Sequence, residues 1–152
     1  MIFTLVVLIL SLIIIRPKPE LMIYGWFAGE CFNNCGTMYK VTATQIYKDT
    51  TSYWSNSDAI LITIRNGEVS KKNGAASYND YKLNIPLIML MDQRYEFGCP
   101  DCYDQGGYYL QFKILGKTKS FKIEKGQEPF YYPNLVDDIE TMINMTKLQF
   151  QE

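Results

Sequence analysis

The chain has 152 residues, 47% apolar and 20% charged, with a formal net charge of −1, enough for one domain with its own core. It contains no histidine, which removes Ser-His-Asp and Cys-His nucleophile arrangements and every metal site that needs imidazole. Its lysines are scattered rather than gathered on one face, which argues against nucleic-acid binding, and its twelve tyrosines favour strands over an all-helical domain.

Residues 1–15 open the chain with an apolar segment, IFTLVVLILSLIII from Ile2 to Ile15, in which only Thr4 and Ser11 are polar. Its length matches the apolar stretch of an export signal and falls short of the roughly 20 residues of a spanning helix. No Lys or Arg precedes it, no A-x-A-like site follows it, and Arg16 and Lys18 come directly behind. Three readings stand: an export signal, an uncleaved membrane anchor extended through Leu21–Tyr24, and a buried element of the domain. As an anchor, the two cations would favour a cytoplasmic domain. The reading adopted is a membrane contact through residues 2–15 that places the domain outside the cytoplasm, secreted or anchored.

Residues 16–20 (RPKPE) read as a stiff linker and 21–152 as a single domain. Leu21–Phe27 reads as the first strand, and Thr37–Lys48 as one or two more. Ala59–Arg65 reads as a short strand stopped by Asn66-Gly67, and Glu68–Asn79 as a polar loop. Pro86 suits the start of a short helix over Leu87–Asp92, with a buried strand as the alternative. Tyr108–Leu115 and Thr118–Glu124 flank Gly116-Lys117 and both alternate, which predicts a β-hairpin. Tyr108, Leu110, Phe112 and Ile114 take one face; Tyr109, Gln111 and Lys113 take the other. Pro133-Asn134 opens a helix over Leu135–Gln149, with Asp137, Asp138 and Glu140 toward its positive end and a stripe of Leu135, Ile139, Met142, Ile143 and Leu148. The expected fold is α+β: an antiparallel sheet of four to six strands with the C-terminal helix packed on one face.

The four cysteines form two close pairs in Gly-bearing loops, Cys31/Cys35 and Cys99/Cys102. In an exported domain they would oxidise to disulfides, in any of three pairings. In a cytosolic one, Cys31, Cys35, Cys99 and Cys102 could hold a zinc ion from two knuckles and stabilise an interaction module. A thiol–disulfide oxidoreductase using Cys99 and Cys102 is a further alternative, although Tyr-Asp-Gln-Gly-Gly after Cys102 does not resemble the helix start that lowers a thiol pKa. Asp101, Asp104 and Gln105 cluster oxygens beside this loop without the spacing of an EF-hand. Asp137/Asp138 fit a helix first turn better than glycosidase chemistry, and Asn144-Met-Thr146 matches a glycosylation acceptor but falls on the helix.

The GWFAG stretch (Gly25, Trp26, Phe27, Ala28, Gly29), the short central apolar helix, the hairpin YYLQFKILGKTKSFKIE and the Pro-led last helix together resemble the emfourin-like proteins. The resemblance covers about half the chain; Trp26 replaces a Gly of the family's start, and the cysteine pairs and the Glu68–Asn79 loop depart from it. It implies a small antiparallel sheet with helices on one side, inhibition of thermolysin-type metalloproteases in some members, and residues 25–29 as the contact surface for an unknown protein partner. The functional expectation is a non-enzymatic binding domain without a cofactor.

Overall fold

The computed structural model describes residues 2–28, 36–49, 67–69, 78–100, 102 and 106–150. Helix α1 (Ile2–Ile14) is followed by strands β1 (Leu21–Phe27), β2 (Gly36–Val41), β3 (Ile46–Asp49) and β4 (Gly67–Val69). Two 3-10 turns, Tyr78–Tyr81 and Leu87–Leu90, lead to β5 (Glu96–Phe97), β6 (Gly107–Ile114), β7 (Lys117–Ile123) and helix α2 (Leu135–Lys147). The strands form one sheet in the order β4-β3-β2-β1-β6-β7-β5. Every pairing is antiparallel except β5 against β7. This is the α+β architecture the sequence predicts, with α2 across one face. The three-residue β4 and two-residue β5 lie at the edges and bring the strand number among the described residues to seven. The expected strand Ala59–Arg65 lies outside the described residues.

Alternation along each strand decides which side chains meet α2. Met22 and Tyr24 of β1, Tyr39 and Val41 of β2, Leu110, Phe112 and Ile114 of β6, and Phe121 and Ile123 of β7 join Leu135, Val136 and Ile139 of α2 in the main core. The opposite face carries a smaller cluster of Ile23, Met38 and Tyr109 with Leu21 and Phe27 against it. The β6–β7 hairpin pairs Ile114 with Lys117, so its two-residue turn is Leu115-Gly116, one position earlier than the sequence suggests. Both turn residues have positive φ, 52° and 75°, as a type I′ turn requires.

Helix α2 follows the expected stripe with one exception at its end. Leu135 and Ile139 are buried, and Met142 and Ile143 pack against the core, but the helix ends at Lys147 and Leu148 points outward. Thr146 takes the inward place and is fully buried. Its hydroxyl lies 2.5 Å from the Tyr24 hydroxyl, which also donates to the Tyr81 carbonyl at 3.1 Å. Two buried hydroxyls thereby satisfy one another between helix and sheet.

The segment read as a linker is fastened to the domain. The Ile85 and Leu87 amides donate to the Pro17 and Ile15 carbonyls, both at 3.1 Å. The buried Lys82 ammonium donates to the Pro19 and Glu20 carbonyls at 3.0 and 3.1 Å, and the Arg16 guanidinium lies 5.0 Å from the centre of the Tyr132 ring. Burial lowers the Lys82 pKa, with Lys18 adding repulsion. Helix α1 is rooted by this segment and by Ile13, which packs against the core, while residues 4–10 are exposed. No helix among the described residues is long and apolar enough to cross a membrane.

Candidate functional site

A groove of about 440 Å3 opens between α2 and the sheet. Its floor follows from strand register. Tyr108 of β6 pairs with Trp26 of β1, and Trp26 pairs with Thr37 of β2, so three side chains form a row on the α2 face. Beside that row Tyr39 pairs with Lys48 of β3. The wall is α2, which contributes Glu140, Ile143, Asn144 and Lys147 at helical spacing. Trp26 is 38% exposed there, an uncommon state for the largest side chain.

The groove carries an ordered charge pattern. The Glu140 carboxylate accepts hydrogen bonds from the Tyr108 hydroxyl and, at 2.8 Å, from the Lys125 ammonium. Lys125 first and Tyr108 second hold the Glu140 carboxyl below its usual range. Burial, then the neighbouring Glu140, pushes the Tyr108 phenol above its usual range. Tyr108 is thus a fixed proton donor at neutral pH, and Glu140 a fixed anion. Lys48 and Lys147 add positive charge to the same rim. Such a lining recognises shape, aromatic contact and charge; among the described residues it sets no nucleophile beside a base.

The GWFAG stretch does not present one surface. Strand alternation sends Trp26 into the groove, while Phe27 packs in the small cluster on the opposite face. Gly25 is buried, and a Cβ there would lie 1.9 Å from the Thr37 carbonyl oxygen, so this glycine permits the close approach of β2 to β1. Ala28 is half-buried, and Gly29 lies outside the described residues. Of the four expected contact residues that are described, Trp26 alone lines the groove. The period-2 pattern of Leu21–Phe27 already carried that division. The partners across the groove, Lys48 and the α2 residues, had no local signal because they meet Trp26 only through long-range pairing.

Cys99 and Cys102 are joined as a disulfide with their Cα atoms 5.5 Å apart, within the usual span. The Cys102 amide donates to the Cys99 carbonyl at 3.1 Å, and the Cys99 amide to the Glu124 carboxylate at 2.8 Å. Of the readings for this loop, the bond is the local disulfide. Cys31, Cys35, Asp101, Asp104 and Gln105 lie outside the described residues. No group of three or more Cys, Asp or Glu side chains able to hold a metal ion occurs among the described residues. Asn144 lies on α2 and lines the groove.

The chain matches no family model, no curated protein and no solved structure.

Proposed function

We propose that this protein is a non-enzymatic binding domain held at the outer side of a membrane, and that the groove under α2 takes an extended peptide segment of a protein partner. The observation that carries the reading is the half-exposed Trp26, seated between Tyr108 and Thr37 with Lys48, Lys147 and Glu140 on the rim. Trp and Tyr give large contact area at small cost in side-chain entropy and dominate binding hot spots. Charges of both signs around them suit a peptide better than an apolar small molecule. The Cys99–Cys102 disulfide supports an oxidising compartment, and α1 supplies the membrane contact. Inhibition of a metalloprotease, implied by the emfourin-like resemblance, is a narrower form of the same reading.

Selection of displayed random peptides on the purified protein tests the proposal. Enriched peptides should bind Trp26→Ala at least about tenfold more weakly and bind Phe130→Ala, away from the groove, as they bind the parent. Peptides that bind Trp26→Ala unchanged, or no enrichment at all, would overturn it. Titration into a thermolysin-type protease assay separates the inhibitory form: stoichiometric loss of activity supports inhibition, and full activity at excess domain removes it.

A further inference from the structure

We infer that the end of the domain from which α1 leaves is itself a docking surface for an anionic lipid bilayer, seating the domain on the head groups while α1 enters the hydrocarbon. The inference rests on the reading of α1 as a membrane segment and extends it to the folded domain.

Helix α1 is apolar all round. Leu5, Val6, Val7, Leu8, Ile9 and Leu10 are each 43–58% exposed, as on a helix with no neighbour. A helix of this kind needs an apolar surrounding that the described chain does not provide. Its 13 residues reach roughly 20 Å, enough to carry its apolar side chains well into a bilayer core of about 30 Å.

The surface around its root has matching chemistry. Residues 91–95 run beside β7, with the Lys119 ammonium donating to the Asp92 carbonyl and the Lys122 amide to the Tyr95 carbonyl, both at 2.8 Å. The 3-10 turn Leu87–Leu90, which holds the root of α1, therefore lies at the hairpin end of the sheet. The β6–β7 turn is tied to the same place, because the Gly116 amide donates to the Glu20 carboxylate at 3.2 Å. Phe130 belongs there too: its ring meets Tyr131 edge-on, and the Tyr131 hydroxyl donates to Asp92 at 2.5 Å. Three large apolar side chains at this end face solvent: Met91 at 66%, Leu115 at 79% and Phe130 at 79%.

Arg16, Lys18 and Lys117 are exposed among them. Two of the nearby acids are already engaged, Glu20 with Lys113 at 3.5 Å and Asp92 with Arg94 at 2.6 Å. Cations beside protruding apolar side chains, around the root of an apolar helix, match the layered chemistry of an anionic membrane: negative head groups above hydrocarbon. A peptide partner would match the apolar side chains but would not explain a helix exposed on every side.

The test places a photo-cross-linking p-benzoylphenylalanine singly at positions 8, 115, 130 and 125 of the full chain, with vesicles of phosphatidylcholine and phosphatidylglycerol. Position 125 follows β7 at the opposite end of the sheet and serves as the control. Lipid adducts should form at 8, 115 and 130 and not at 125. Lys18→Glu with Lys117→Glu should lower the yields at 115 and 130 by about fivefold or more and leave position 8 labelled. Adducts at 8 alone would overturn the docking surface and leave α1 as a membrane segment. No lipid adduct at 8 would overturn both. Cross-links between protein chains at 115 or 130 would assign this surface to a second copy and would also overturn the proposal.

Discussion

The two α-helices among the described residues are the same length, 13 residues each, and are put to opposite uses. Helix α2 is amphipathic; it fully buries Leu135, Val136, Ile139 and Thr146 against the sheet and turns its acids outward or into the groove. Helix α1 carries far more apolar surface and, among the described residues, buries almost none of it, touching the domain through its last turn. Apolar content alone therefore does not place a helix in a core. A stripe can be matched by one sheet face, whereas a cylinder that is apolar all round needs either a core that encloses it or a lipid phase. One helix stabilises the fold; the other, on the function proposed above, meets its partner outside it.

Paired substitutions should separate the two roles most widely. Ile139→Ala removes a fully buried side chain and should cost about 2–5 kcal/mol in chemical denaturation. Ile9→Ala, in the exposed part of α1, should change the same midpoint by no more than about 0.5 kcal/mol. Equal losses would mean that α1 belongs to the core.

A smaller effect should come from the seat beside the root of α1. Asp92 accepts from the Arg94 guanidinium and the Tyr131 hydroxyl, and Arg94 foremost holds its carboxyl down at about 2, against an ordinary value of 3.8. A folded-state pKa below the unfolded one stabilises the fold above about pH 4, and that contribution is lost as pH falls toward 2. The Arg94 side chain is 55% exposed, so solvent screening reduces the contribution to about 1–2 kcal/mol. Asp92→Asn should lose that amount at pH 7 and flatten the acid limb of a stability profile between pH 4 and 2. An unchanged acid limb would remove Asp92 from the account.

At the far end of α2 the expected effect is smallest. Thr146→Val keeps the volume but withdraws the partner of the buried Tyr24 hydroxyl, which retains the Tyr81 carbonyl. The cost should be about 1 kcal/mol, read from the same denaturation curves. A cost near zero would mean that the Tyr81 carbonyl alone satisfies Tyr24.

How much of this was legible in the sequence varied with the range of the interaction. The β6–β7 hairpin was written in its alternation, and the turn slipped one residue because Leu115 takes a positive φ that sequence reasoning reserves for glycine. The body of α2 was legible from its stripe; its end was not, because Leu148 looks like a continuation and Thr146, the residue buried there, is polar. RPKPE looked like a free spacer because its partners, Lys82 and Ile85, are more than sixty residues away. The candidate site was legible at one position. Trp26 stood out by type, while Lys48, Tyr108, Glu140 and Lys147 became its neighbours only when register and helix packing were known.

The division between the helices is tested most directly by amide hydrogen exchange on the full chain, read with and without vesicles containing phosphatidylglycerol. The amides of residues 138–146, hydrogen-bonded within α2, should be protected in both conditions, since tertiary packing holds the helix. Those of residues 5–10 should exchange quickly in water, where an isolated 13-residue helix is marginal, and become strongly protected with the vesicles. Protection of α1 in lipid-free monomeric protein, or fast exchange in α1 with lipid present, would contradict the account.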